Sequence, residues 1–174
     1  MGRRESMGLG EDLERVALQE RELVLPRLDA QVAWELGTRL RTLAVERKLA
    51  LVIDVRRFGQ PLFYAALDGA TPDNAEWVRR KSNVVARFHR SSYGVAMSQL
   101  QKNTTLLERY GLPVADYAAA GGSFPLAVAG AGVVGSVTVS GLPQRSDHEL
   151  VVEALCSVLG RDFVELRLAS EPAS

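Results

Sequence analysis

The stretch GVVGSVTVSGLPQRSDHELVVEAL, residues 132–155, contains a strand, a bend and a helix in direct succession. Its part GSVTVS, residues 135–140, is rich in small and β-branched residues, which favour a strand packed closely on its neighbours. The following Gly-Leu-Pro predicts a turn. Ser146 stands three residues before Glu149, and this spacing predicts a capping box that begins a helix. Because helix N–H groups gather there, the junction could also hold an anionic group, although a plain cap is the commoner role.

Three other segments have strand character, namely residues 49–55 (LALVIDV), 62–67 (LFYAAL) and 123–129 (SFPLAVA). Short turns separate the first two, and also separate the third from the strand before residue 140, so each pair predicts an antiparallel hairpin. Residues 162–168 (DFVELRL) predict a last edge strand.

Apolar residues recur at helical spacing in five segments. These are residues 11–25, a segment that Asp29 caps, residues 71–90, residues 92–110, and the final helix ending at Gly160. Helices and hairpins in this order predict an α/β (α+β) fold, in which helices cover an antiparallel sheet of four to five strands.

Composition predicts one globular domain, because the 174 residues are 47% hydrophobic and 24% charged. Residues 1–10 are expected to form a disordered tail and residues 11–174 the domain. Basic and acidic residues both number 21, so no net charge favours nucleic acid or a membrane surface. No segment is long and apolar enough to span a bilayer, and we expect a cytoplasmic protein. The single cysteine, Cys156, is expected in the core.

One basic residue falls inside an apolar helix face. At about 100° per residue, Lys81 lies within the arc formed by Trp77, Phe88 and three valines of the helix predicted over residues 71–90. An unpartnered ammonium there would cost free energy, so the lysine should snorkel, pair with a carboxylate or meet an anionic ligand. Asp54, inside an apolar strand, is the expected partner.

The two histidines are candidate ligands for a metal or for haem iron. His89 lies at the edge of the same apolar face, where a hydrogen-bonded structural role is the alternative. His148 lies in the first turn of the final helix, where the helix dipole favours its neutral form. Because no second histidine stands at helical spacing from His148, we predict no metal site.

The segment Gly121-Gly122-Ser123 could present backbone N–H groups to an oxygen anion, although such a glycine pair commonly marks only a tight turn. Motifs typical of nucleotide-binding proteins, zincins and α/β-hydrolases are absent from the sequence. We therefore assign no catalytic residue.

Four segments together resemble the UPF0303 family, within the haem-degrading-domain or GlcG-like group formerly known as DUF336. They are residues 77–83 (WVRRKSN), 89–92 (HRSS), 121–125 (GGSFP) and 135–149 (GSVTVSGLPQRSDHE). The resemblance implies a profilin-like fold, with helices on both faces of an antiparallel sheet, and assembly into homo-oligomers. It also implies haem as a candidate cofactor, since some members of the wider group bind haem and are associated with its degradation. The family pattern has histidine just before the glycine pair, where this chain has Ala120.

The leading hypothesis is a self-associating module that binds a small anionic ligand or haem without catalysis. Its pocket would lie between the Lys81 helix, the glycine pair and the start of the final helix. Lys81 and Arg79 would supply positive charge, and Ser146 and Asp147 would border the site with the glycine N–H groups. One alternative is a haem-dependent oxidative protein with His89 or His148 as axial ligand, and another is an oligomeric scaffold for protein partners.

Overall fold

The structure is a computed structural model that describes residues 3–169, with side chains described from residue 8 onward. Its strands are β1 (Val24–Leu25), β2 (Val52–Arg57), β3 (Gln60–Ala66), β4 (Ser123–Val128) and β5 (Gly132–Ser140). Its helices are α1 (Arg3–Glu22), α2 (Ala30–Glu46), α3 (Pro72–Phe88), α4 (Ser92–Gln101), α5 (Leu106–Tyr110), α6 (Gln144–Leu159) and α7 (Phe163–Leu166).

The strands form one sheet in the order β1-β4-β5-β2-β3. The pairs β2–β3, β2–β5 and β4–β5 are antiparallel, which confirms the predicted sheet and both predicted hairpins. The two residues of β1 pair in parallel with β4. The sequence did not reveal this strand, because so short an element follows directly on a helix and has no alternation of its own.

The two faces of the sheet differ in polarity. Ile53, Val55, Val137 and Val139 alternate toward a large apolar core that they share with α2 and α6. The opposite face carries Asp54, Ser123 and Thr138, all buried, and α3 packs over it. The helices therefore lie on both faces, as predicted, and Cys156 of α6 is buried in the apolar core.

Three boundaries differ from the sequence predictions. The first helix begins at Arg3 rather than near residue 11. The helix predicted over residues 92–110 is divided into α4 and α5, because the chain at Asn103 turns into a left-handed conformation with φ of 47°. The predicted edge strand over residues 162–168 is wrong, since Asp162 accepts a hydrogen bond from Val164 N and caps the short helix α7.

Residues 1 and 2 of the predicted tail, and residues 170–174 of the predicted domain, lie outside the described residues. None of the helices in the described part of the chain combines the length and apolarity needed to cross a membrane.

Candidate functional site

Lys81 points from α3 into the protein and is only 3% exposed. Its Nζ donates to Asp147 Oδ2 at 2.8 Å and to the carbonyl oxygen of Val139 at 3.3 Å. The prediction that Lys81 pairs with Asp54 is wrong, because Arg56 binds both carboxylate oxygens of Asp54 at 2.6 and 2.8 Å. Residues two apart on a strand share a face, so Arg56 is the nearer cation.

Burial dominates the electrostatics of the Lys81–Asp147 pair. It lowers the pKa of Lys81 and raises the pKa of Asp147, and their mutual attraction offsets only part of each shift. Asp147 is further held by the backbone, since its Oδ1 accepts a hydrogen bond from Leu142 N at 3.0 Å. The pair is therefore a buried, hydrogen-bonded unit rather than a free cation.

The glycine pair lies directly against this unit. A Cβ atom on Gly122 would come within 2.8 Å of Lys81 Nζ and 2.5 Å of the Val139 carbonyl oxygen. A Cβ atom on Gly121 would lie 2.0 Å from the carbonyl oxygen of Gln144. Only residues without a side chain leave room for the lysine and for the start of α6 at this point.

A cavity of about 310 Å³ adjoins the Lys81–Asp147 pair. This volume is at the lower end of the range of about 300–1,000 Å³ that small-molecule sites occupy. Its walls combine the pair with an indole, two amides and the turn before α6. The lining residues are Asp73, Asn74, Trp77, Lys81, Ala120, Ser140, Gly141, Leu142, Gln144 and Asp147.

Helix α6 begins at the mouth of this cavity, three residues earlier than the predicted capping box requires. Pro143 occupies the N-cap position and no side chain caps the helix. The capping box of Ser146 and Glu149 was therefore wrong, because Ser146 lies within the first turn and is exposed. Glu149 instead accepts a hydrogen bond from Leu168 N at 3.1 Å.

Two other predicted site residues take part in separate interactions. Arg79 binds Glu76 and Asp116, each at 3.0 Å, and donates to the carbonyl oxygen of Ala115. The hydroxyl of buried Ser123 lies 2.8 Å from the hydroxyl of Thr138. Neither side chain lines the 310 Å³ cavity.

His148 lies in the core and has no exposed surface. Its Nε2 is 2.8 Å from Gln19 Oε1, and Gln19 Nε2 donates to the carbonyl oxygen of Leu166 at 2.8 Å. The second bond fixes the orientation of the amide, so His148 Nε2 carries the proton and donates. Burial lowers the pKa of His148 to about 3, which keeps the ring neutral. Neither ring nitrogen reaches a ligand from solvent in this conformation.

His89 is exposed and ends α3 in a left-handed conformation, with φ of 53°. It borders a cavity of about 200 Å³ together with Arg56, Phe58 and Asn83. This cavity is distinct from the one at Lys81, with which it shares no lining residue. The structure thus brings together Lys81, Asp147 and the two glycines, whereas His89 borders a different cavity and the ring of His148 is buried in the core.

Residues that sequence reasoning missed extend the candidate site. Another cavity, of about 420 Å³, adjoins the cavity at Lys81 and shares Trp77, Ala120 and Gln144 with it. The rest of its lining consists largely of apolar side chains. The helical pattern placed Trp77 with the core, and no periodicity marks Ala120 or Gln144. That these three residues line both cavities follows only from the three-dimensional packing of α3, α6 and the loop before β4.

These features define a class, the α/β proteins with a helix-flanked antiparallel sheet and a ligand-sized cavity beside a buried lysine–aspartate pair. Residues 28–156 match the model of a family described as haem degrading protein HbpS-like. A UPF0303 protein of Burkholderia thailandensis is 63% identical over 163 residues, which cover 94% of this chain and 99% of that protein. A UPF0303 protein of Paraburkholderia phymatum is 60% identical over 163 residues, which again cover 94% of this chain and 99% of that protein. The chain therefore belongs to the HbpS-like family and to its UPF0303 group.

Several solved structures have a similar fold. Ybr137w protein, whose crystal structure is known, is 27% identical in sequence to this chain. The two structures have a TM-score of 0.79, with 85% of this chain and 87% of that one covered. HbpS has a TM-score of 0.61 at 23% identity, covering 78% and 92% of the two chains. A complex of PduOC with haem has a TM-score of 0.65 at 14% identity, covering 75% and 94%. The last two likenesses establish a shared fold.

Proposed function

We propose that this protein is a self-associating module that binds a small carboxylate-bearing ligand in the cavity between the Lys81–Asp147 pair and the start of α6, without catalysing a reaction. One observation carries the proposal: a buried, hydrogen-bonded lysine forms part of the wall of a cavity of about 310 Å³. Buried charges beside a cavity are typical of binding sites, although ion pairs with a structural role share this feature.

The charges around the cavity limit what it can bind. Asp147 already balances the charge of Lys81, and Asp73 adds a second carboxylate to the lining. The attraction for an anionic group must therefore come mainly from the first turn of α6, which lacks a side-chain cap. Helix N-termini favour anions through their free N–H groups and their dipole. A compact carboxylate fits this arrangement better than a highly charged anion does.

The walls indicate a ligand with a polar end and an apolar end. Trp77 belongs to both this cavity and the adjoining one of about 420 Å³. A ligand with its carboxylate at α6 would place an apolar body across Trp77 toward the second cavity. The side chains of Ala120 and Gln144 would border it on the way.

Thermal-shift measurements test this proposal with acetate, hexanoate and benzoate, each compared with the corresponding neutral amide. At millimolar concentrations at least one carboxylate should raise the melting temperature by about 2 °C or more, as expected when a ligand binds the native state alone. The amides should have no such effect. No carboxylate-dependent shift at all would contradict the proposal.

A cavity-filling variant locates the binding. Ala120→Phe inserts a ring where the two cavities meet and leaves the Lys81–Asp147 pair in place. The shift should disappear in this variant. Ala131→Phe, in the exposed turn before β5, is the matched control and should keep the shift. A shift that survives Ala120→Phe would place the binding elsewhere.

Haem is the second candidate, supported by the description of the family and by the haem complex of the structural neighbour PduOC. His89 is the histidine that an exposed iron could reach, since His148 is enclosed in the core. The cavity beside His89, at about 200 Å³, is below the usual range for small-molecule sites, so only one edge of the macrocycle would enter it. Bound haem would supply an iron centre for oxidative chemistry.

A haemin titration tests the second candidate. Binding through His89 should shift the Soret band of haemin, and His89→Ala should abolish that shift while Ala120→Phe leaves it unchanged. A shift that is lost in Ala120→Phe and kept in His89→Ala would instead place haem in the Lys81 cavity. No Soret change in the unmodified protein would exclude His89 as an axial ligand.

A further inference from the structure

Strand β3 forms one edge of the sheet of the described chain, and its second half is not protected as edges usually are. Its seven residues, Gln60–Ala66, include no charged side chain. Natural edge strands avoid pairing with other chains by being short, by carrying charges or proline, or by bulges, and β3 has such features only near its start, at Pro61 and at the register shift opposite Val55 and Arg56. The opposite edge, β1, is two residues long.

The hydrogen bonds of β3 show which backbone groups face outward. Leu67 N donates to the carbonyl oxygen of Leu51 at 3.0 Å, so the groups of Leu67 face β2. In an antiparallel ladder the direction alternates along the strand. The N–H and C=O groups of Tyr64 and Ala66 therefore face away from β2, toward solvent, whereas the register shift between Val55 and Arg56 interrupts the alternation at Leu62.

Helix α2 runs beside this edge and presents an apolar ring next to it. A Cβ atom on Gly37 would lie 2.3 Å from the ring of Phe63, so α2 crosses β3 close to Gly37. Trp34 packs edge-on against Phe63, with ring centroids 5.6 Å apart, yet is 62% exposed. On the other face of the strand, Tyr64 is 53% exposed.

The exposed row of α2 is self-complementary about that crossing. Trp34, Thr38 and Arg41 are all exposed and lie along one side of the helix, at spacings of four and three residues. A two-fold axis between Gly37 and Thr38 would bring Trp34 of one copy opposite Arg41 of the other. Arginine over an indole is a favourable cation–π arrangement.

We infer that a second copy of this chain adds its β3 antiparallel to this β3, about a two-fold axis at Tyr64. Tyr64 then pairs with Tyr64 of the second copy, and about two backbone hydrogen bonds form between these two residues. The same axis joins Trp34 and Arg41 across the two α2 helices. Equal numbers of acidic and basic residues leave no net repulsion between copies.

This inference names the surface for the self-association included in the proposed function and does not depend on ligand binding. A peptide of another protein could also add to an open edge. The opposed indole and guanidinium of α2 favour a second copy, because only a two-fold partner supplies both.

Sedimentation velocity over a concentration series tests the surface. Tyr64→Pro removes an outward N–H group and no bond to β2, and Tyr64→Lys places a charge beside its own copy. Each should raise the dissociation constant of the dimer by about tenfold or more. Val164→Lys, at an exposed apolar residue of α7, is the matched control and should leave it unchanged. Circular dichroism verifies folding, and Tyr64→Lys decides if the proline variant unfolds.

A swap tests the two-fold geometry. Trp34→Arg alone opposes two arginines, Arg41→Trp alone removes the cation, and the double variant restores one arginine opposite one indole. Each single variant should weaken the dimer, and the double variant should regain at least part of the loss. Self-association unaffected by any of these changes would overturn the β3 surface and leave self-association itself standing. A protein that stays monomeric throughout would overturn both.

Discussion

Burial opposes the charge on both members of the Lys81–Asp147 pair, which explains why the pKa of Lys81 is lowered and that of Asp147 raised. A buried pair of this kind adds little stability compared with apolar residues of similar size, because desolvation consumes the attraction. Removing one member is different, since the other charge then stays buried alone. Lys81 therefore contributes to stability mainly by neutralising Asp147.

Lys81→Met should therefore lower the free energy of unfolding by about 3–5 kcal/mol at neutral pH, as found when one partner of a buried pair is removed. Adding Asp147→Asn should recover part of this loss, because the amide oxygen can still accept the hydrogen bond of Leu142 N. Urea unfolding monitored by circular dichroism measures both. A double variant less stable than Lys81→Met would contradict the pairing.

The same residues show what a sequence can and cannot predict. Helical spacing was enough to place Lys81 on the inward face of α3, because that placement depends on local geometry alone. Its partner depended on which strand and which helix meet α3. Asp54 was the obvious carboxylate by sequence, yet Arg56 lies on the same strand face and binds it. Asp147 gave no signal beyond its place near a helix start.

At the scale of elements, the turn into β4 sets how closely α3 and α6 approach. Gly122 has φ of 126°. The two atoms that would lie nearest to a Cβ atom at this residue are the carbonyl oxygen of Val139, in β5, and Nζ of Lys81. Other glycines share the positive φ without the crowding. Gly130, in the turn between β4 and β5, has φ of 77° and open space around it.

Gly122→Ala should therefore destabilise the protein more than Gly130→Ala does. Gly130→Ala, the control, should lower the free energy of unfolding by about 1–2 kcal/mol, the usual penalty for a side chain at positive φ. The variant at Gly122 should cost at least about 2 kcal/mol more, because the new methyl group overlaps the Val139 carbonyl and the lysine. Urea unfolding of the two variants gives the difference. Equal losses would mean that the close approach is not needed.

Most elements were predictable because their patterns are local. The hairpin of β2 and β3 and the strands β4 and β5 follow from branched residues and turn residues. The failures occur where local preference was weak or overridden. Residues 162–168 alternate in polarity as a strand does, but Asp162 caps a helical turn instead. Ser146 had the spacing of a cap, whereas Pro143 begins α6 earlier.

At the scale of the molecule, a buried polar network joins three helices beside the main core. Tyr93 of α4 donates to Asp12 of α1 at 2.7 Å, and Arg145 of α6 binds the same carboxylate. The ring of Tyr93 stacks on His148, with centroids 4.9 Å apart, and Gln19 of α1 completes the contacts of that histidine. The docking of α1 and α4 on α6 therefore depends on a histidine that stays neutral.

This requirement predicts a specific loss of stability in acid. Burial depresses the pKa of His148 from 6.5 to about 3, so the unfolded chain binds a proton that the folded chain does not between these values. The contribution of the neutral His148 ring to the free energy of unfolding is thus complete above pH 6.5 and is lost as the pH falls toward 3. From pH 7 to pH 5 this one group should lower the free energy of unfolding by about 2 kcal/mol.

Urea unfolding at pH 7 and pH 5 should show that loss in the unmodified protein, and His148→Gln should lose about 2 kcal/mol less over the same interval. The comparison uses the change with pH, so a constant cost of the substitution does not affect it. His89→Gln is the matched control, because it removes a histidine that is exposed. If both variants reduced the pH dependence equally, or neither did, the buried imidazole would not be the group that links acid to unfolding.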